Sequence, residues 1–245
     1  MTAVIILALD TTTRAGSVAV VRDDRVLALL PGDESRTHGE RLPSEIAAVL
    51  DRAGVSREQI DLLAVAAGPG GFTGLRIGLA TVQGLAMTLN KPVAGVSALR
   101  ALAAQVINPT EPVSPKRLRE GGLIAPWMDA QRGDVFATLI DAKTANEIDA
   151  PVAENPSHVL ERWRAHWSGR RIVFIGDAVT RDELLIATAG AGLWQVQLPE
   201  PLAPQIALLG KQLAEQGRAG PPHALIPVYV RRPDAEIERE RRKPN

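Results

Sequence analysis

The sequence predicts an α/β protein made of two related halves. Three observations carry that prediction. The apolar run Val4–Leu9 ends on Asp10, passes through the polar turn Thr11–Gly16 and returns as Ser17–Val21. Leu123–Asp129, Ala130–Asp134 and Val135–Ile140 repeat that order of strand, carboxylate, turn and strand. Between them, Asn108–Gly122 carries three prolines, mixed charges and two closing glycines without periodicity, the composition of a boundary. The expected organisation is therefore a first half over 1–107, a linker over 108–122 and a second half over 123–235. The final helix is free to return to the first half, and 236–245 form a charge-rich tail.

The elements follow in order. Val4–Leu9 is a continuous β-rich run, as for a strand buried on both faces. Arg22–Arg25 is a hairpin turn and Val26–Leu30 a third strand, completing an antiparallel meander. Thr37-His38-Gly39-Glu40 has the form of a capping box ahead of Leu42, Ile46, Val49, Leu50 and Ala53 at helical spacing. Pro43 leaves two starts open, a kinked helix from Thr37 or a helix beginning near Pro43. Gly54 suits a C′ position. Leu62–Ala67 is a strand, and Thr73–Leu89 a helix whose apolar face is Leu75, Leu79, Val82, Ala86 and Leu89. Val93–Val96 is a short strand, and Ser97 caps a helix to about Val106. In the second half, Ile172–Asp177 is a strand-to-turn junction, Thr180 a candidate cap and Gln205–Gln216 a helix.

Composition excludes several functions. Lys plus Arg equals Asp plus Glu at 28 each, which argues against a broad nucleic-acid stripe. The absence of cysteine excludes disulfides, thiolate metal sites and a cysteine nucleophile. No apolar run approaches the roughly 20 residues of a membrane span, and the short apolar start lacks a basic leader, so a cytoplasmic location is expected. Aromatic residues are 3% of the chain, little material for base stacking. Gly-x-Ser-x-Gly is absent, so a serine hydrolase is unsupported.

The glycine-rich stretch Gly68-Pro69-Gly70-Gly71-Phe72-Thr73-Gly74, set between strand and helix, admits two readings. Free N–H groups at a helix start receive anions; alternatively the glycines permit tight packing. The spacing fits neither the dinucleotide fingerprint nor a Walker loop. Two halves with matching hairpins and a carboxylate after each first strand describe an actin-like ATPase fold (the ASKHA, or ribonuclease H-like, class). In that class such carboxylates, here Asp10 and Asp129, help position a nucleotide's metal ion. Asp10, Thr11, Thr12 and Gly16 are the candidate nucleotide-binding residues, for weak ATP or ADP with magnesium. The second turn, Gln131-Arg132-Gly133, lacks a phosphate loop's glycine pair, and Asp177 would repel phosphate, so the cleft reads as degenerate. The same aspartates could instead cap their own turns.

Four stretches closely resemble the bacterial TsaB (YeaZ) family, in family order. They are Leu7–Thr12, Ala67–Gly78, Met128–Phe136 and Pro227-Val228-Tyr229-Val230-Arg231-Arg232-Pro233-Asp234-Ala235. The resemblance runs from about Ile5 to Ala235 and is weakest at the linker and over 142–171. It implies a non-catalytic partner of the paralogous subunit TsaD. With the ATPase TsaE, that pair transfers threonylcarbamoyl to the tRNA adenosine beside the anticodon, the chain meeting tRNA indirectly. The paralogue's metal-binding histidines lie four apart; here His38, His158, His166 and His223 offer no such pair, so no metal site and no catalytic residue is expected. An ATP-dependent small-molecule kinase of the same fold is the alternative; a metallopeptidase is the third reading, for which the histidine spacing is wrong, and a glycoprotease label is unsupported.

Gly74, Gly78, Thr81 and Gly84 recur at helical spacing as a small-residue face apart from the sheet-facing one. With Leu42, Ile46 and Val49 of the preceding helix they are the expected docking surface. The resemblance implies that such a helix pair joins either a second copy, as a homodimer, or the paralogue.

Overall fold

The computed structural model describes residues 3–107 and 121–231. The tail at 236–245, Arg232–Ala235 and nearly all of the linker lie outside the described residues.

The first half runs β1 (Ile5–Asp10), β2 (Ser17–Arg22), β3 (Arg25–Pro31), α1 (His38–Ala53), β4 (Leu62–Gly68), α2 (Phe72–Leu89), β5 (Val93–Ser97) and α3 (Ala98–Ile107). The second runs β6 (Leu123–Asp129), β7 (Val135–Asp141), β8 (Glu147–Glu154), α4 (Pro156–Trp167), β9 (Ile172–Ile175), α5 (Val179–Gly190), β10 (Trp194–Gln197) and α6 (Ala203–Glu215). The sheets are ordered β3-β2-β1-β4-β5 and β10-β9-β6-β7-β8, one topology used twice. In each, the lead strand pairs antiparallel with its hairpin partner and parallel with the strand on its other side. Two mixed sheets, as the sequence predicts, replace any single parallel sheet.

Strand alternation sends each lead strand's side chains to two different cores. Leu7 and Leu9 of β1 pack with α1 and α2, whereas Ile6 and Ala8 face a central core shared by both sheets. Trp127 of β6 packs on the opposite side with Trp163 of α4 and Phe174 of β9, while Ile124 and Met128 face the central core. Helices α3 and α6 lie in that central layer, and α6 packs on β1, β2, β4 and β5 although it follows the second sheet in the chain. The close approach of α6 has a local cause: a Cβ on Gly210 would sit 2.7 Å from the Cβ of Ala64.

The Pro43 ambiguity resolves in favour of the longer helix. α1 begins at His38 with Pro43 inside it, and the Glu40 carboxylate accepts the Thr37 N–H at 2.9 Å. Gly54 closes it at φ 63°, in the left-handed region. Three elements escape the sequence reading. β8 and β10 carry few inward apolar residues, and α4 is announced chiefly by Asn155, whose side chain accepts from Ser157 N–H. Thr180 is a correction: it lies inside α5, whose N-cap is Ala178.

Candidate functional site

The β1–β2 turn faces the end of β6 and the β9–α5 junction across a cavity of about 480 Å³. Asp10, Thr13–Gly16, Glu34, Asp129, Asp177, Arg181 and Glu200 lie on its wall. Asp10 is buried, and its carboxylate accepts from Thr12 N–H (2.8 Å), Thr12 Oγ1 (2.6 Å) and Thr13 Oγ1 (3.0 Å). Desolvation pushes its pKa above the usual carboxylate range, against the pull of those hydrogen bonds. Asp129 accepts from Gln131 N–H, Gln131 Nε2 and Arg181 Nη1, the last at 2.7 Å. Asp177 accepts the Asp129 N–H at 2.9 Å. Its own pKa is raised by desolvation and by the nearby charges of Asp129 and Asp10.

Of the candidate nucleotide residues, Asp10 and Gly16 reach the cavity wall, whereas Thr11 and Thr12 are not among the cavity-lining residues. Thr12 caps Asp10, and Thr11 is buried with its hydroxyl lacking a hydrogen-bond partner. Gly16 is required by backbone geometry: φ is +64°, and a Cβ there would lie 2.6 Å from the Asp10 carbonyl oxygen. Arg181 was invisible as a cleft residue because 52 positions separate it from Asp129 in the chain.

The glycine-rich stretch docks on the β1–β2 turn. A Cβ on Gly70 would meet Thr12 Cβ at 2.4 Å, one on Gly74 the Thr11 carbonyl oxygen at 2.3 Å, and one on Gly78 Thr11 Oγ1 at 2.1 Å. Gly71 N–H donates to the Thr12 carbonyl at 3.2 Å. Packing therefore accounts for these glycines. A chain segment after α6 crosses the same loop: Val228 N–H donates to Ala67 O at 2.7 Å, and Tyr229 stacks on Phe72 with centroids 5.7 Å apart. Arg231 then reaches the other half, bonding the Ala130 carbonyl and the Asp134 carboxylate. The late Pro-Val-Tyr signature is thus a strap joining the two halves.

The expected docking residues divide by how far the fold buries them. Leu42, Ile46 and Val49 are buried in the outer core of the first sheet, at 2%, 7% and 0% exposure, and leave little surface for a partner. Gly74 and Gly78 are spent on Thr11, and Thr81 hydrogen-bonds the Ile77 carbonyl within its own helix. Gly84 alone of the set lies exposed with open space around it. The periodicity of small residues was real, but two of the glycines face inward.

His38 joins α1 to the first turn. Its Nε2 lies 3.0 Å from the Thr13 carbonyl and its Nδ1 2.7 Å from Arg41 Nη2, so the neutral ring donates to one and accepts from the other. Buried Arg41 also bonds the Ala15 carbonyl and pairs with Glu45 at 2.7 Å. Desolvation, then the Arg41 charge, hold the His38 pKa below its ordinary 6.5. The unfolded chain takes up this proton first, so the contribution is complete above that value and is lost as pH falls through the lower folded-state pKa. Denaturation midpoints should fall as the solution is acidified below about 6.5, and His38→Gln, which keeps a donor and an acceptor, should flatten that part of the profile. Asp10, with a raised pKa, has the opposite sign and acts in the acid range. His158 and His166 lie on the exposed side of α4. Among the described residues, no three histidine or carboxylate groups are placed to hold a metal ion.

Two halves of one strand order, closing on a cleft with the carboxylate that ends each lead strand on its wall, define a protein of the actin-like ATPase fold class. The family model described as "TsaD: tRNA N6-adenosine threonylcarbamoyltransferase" matches residues 28–159. The chain belongs to the TsaB (YeaZ) family. It is 29% identical to the tRNA threonylcarbamoyladenosine biosynthesis protein TsaB of Bacillus subtilis, over 95% of this chain and 96% of that protein. It is 43% identical to the Escherichia coli protein of the same name over 40% of this chain and 42% of that one. The solved structure of YeaZ from Pseudomonas aeruginosa superposes with a TM-score of 0.71 at 26% identity, covering 92% of this chain and 99% of that chain.

Proposed function

We propose that this chain is the non-catalytic subunit of the bacterial complex that forms threonylcarbamoyladenosine on tRNA. In this reading it docks on the catalytic paralogue TsaD, works with the ATPase TsaE, meets tRNA through the complex and acts in the cytoplasm. The observation that carries the reading is the near full-length similarity to TsaB of B. subtilis. Its non-catalytic part is supported by the cleft, where Asp10 and Asp129 are hydrogen-bonded within the chain on both carboxylate oxygens. Among the described residues no helix is long and apolar enough to cross a membrane.

We place the docking surface on the outward side of α1 and α2, which pack side by side on the first sheet. Pro43 and Ala47 of α1 and Ala80, Gly84 and Met87 of α2 are exposed, Met87 to 74%. Small residues at the surface allow another helix to approach closely, and a second copy or the paralogue would compete for that face.

Co-purification with the host's TsaD and TsaE, followed by tRNA modification assays with each protein omitted, tests the reading. Modification should require this chain; full modification without it would overturn the proposal. Asp10→Asn and Asp129→Asn should leave modification within a few-fold of the parent. A loss beyond about a hundredfold with folding intact, roughly 2.7 kcal/mol of barrier, would mark the cleft as active.

A further inference from the structure

We propose that Arg181 is the resident cation of the cleft, occupying from within the chain the carboxylate that a nucleotide's divalent ion would need. The residues present do not fit such an ion. Asp129 Oδ1 accepts Arg181 Nη1 at 2.7 Å and Gln131 N–H, and Oδ2 accepts Gln131 Nε2. Asp10 accepts from Thr12 and Thr13 on its two oxygens, and Asp177 accepts the Asp129 N–H on Oδ1. An oxygen already accepting charged or backbone donors has little left to offer a metal, which would have to displace those donors.

Arg181 is itself fixed. Its Nε and Nη2 fork onto Asp182 Oδ1 and Oδ2 at 2.9 and 2.8 Å. Asp182 is 4% exposed, and its Oδ2 also accepts Trp127 Nε1 at 2.8 Å. A two-point fork onto a buried, anchored carboxylate leaves the guanidinium little freedom. The chain Trp127–Asp182–Arg181–Asp129 therefore presents one fixed positive charge where β6 ends. A fixed guanidinium cannot be deprotonated at any accessible pH, so it excludes a second cation persistently. Among the described residues of the cavity wall, Arg181 stands beside the carboxylates of Asp10, Asp129 and Asp177, and Arg14 is the other cation. The cleft thus keeps the architecture of its fold class and is closed to metal–nucleotide by an internal ion pair.

The inference concerns the non-catalytic part of the proposed function and is independent of docking, so binding to TsaD is measured in parallel and reports on that reading separately. The probe is Mn²⁺, followed by its electron paramagnetic resonance signal on the purified full chain, with the Mg²⁺ dependence of the thermal midpoint as a second readout. The parent should show no saturable Mn²⁺ binding. Arg181→Gln, which can still donate to Asp182, should bind Mn²⁺ saturably, with half-saturation at least about tenfold below the highest concentration at which the parent shows none. Adding Asp129→Asn to that variant should abolish the gain, and Arg181→Lys, which restores a cation, should not show it. Should Arg181→Gln fail to fold, pairing it with Asp182→Asn removes the uncompensated buried charge and repeats the test. A parent chain that binds Mn²⁺ through Asp129, or a folded Arg181→Gln that gains nothing, overturns the proposal.

Discussion

Gly78→Leu is expected to destabilise the fold by about 3 kcal/mol or more, at the upper end of overpacking costs. The first atom added, the Cβ, would already lie 2.1 Å from Thr11 Oγ1 and 3.2 Å from Thr11 Cβ. Thr11 cannot move aside easily. It is 1% exposed and belongs to a turn held by Asp10, by Gly71 N–H on the Thr12 carbonyl and by the Arg41–His38 network. Gly84→Leu is the contrasting variant. Nothing lies within 4 Å of its added Cβ, and leucine replaces the poorest ordinary helix former, so stability should hold or rise by up to about 1 kcal/mol. Urea denaturation of both variants checks the packing, and affinity for TsaD checks the docking. A Gly78→Leu protein as stable as its parent would refute the buried contact. Unchanged TsaD affinity of Gly84→Leu would move the proposed interface elsewhere.

Trp163→Ala should cost about 3–5 kcal/mol, the range for emptying a large aromatic site. Trp163 is fully buried, with ring centroids 5.8 Å from Trp127 and 6.0 Å from Phe174, and it fastens α4 to the second sheet. Its Nε1 also donates to Asp149 Oδ2 at 2.6 Å, while Arg162 pairs with that same carboxylate. Trp163→Phe keeps most of the ring packing and removes the donor, so its cost should be nearer 1–3 kcal/mol, that of a lost hydrogen bond to a charged group. Chemical denaturation followed by tryptophan fluorescence separates the two. An alanine variant losing under about 1 kcal/mol would mean that α4 is not held by this cluster.

The repeated hairpins were legible because both lead strands are buried on two faces, so their apolar runs are unbroken and each ends on an aspartate. The edge elements were not. β8 and β10 face water over much of their length, and α4 shows only a narrow apolar stripe of Val159, Leu160 and Trp163. Helical spacing found the right helices for α1 and α2 but could not orient them. Leu42, Ile46 and Val49 read equally well as core or as contact surface until the position of the first sheet was known.

The sequence by itself determined the fold class, the doubled strand–carboxylate–turn grammar, the want of a histidine pair for a metal and the family motifs. Each of these is a local pattern or an ordered set of short segments, carried by residues near one another in the chain. The tertiary structure decided what the pieces face. It turned Gly74 and Gly78 onto Thr11, laid the Val228–Arg231 strap across both halves and brought Arg181 to Asp129. Those outcomes depend on contacts between residues tens of positions apart, and the periodicity of one segment carries no record of which distant side chain will fill the space beside it.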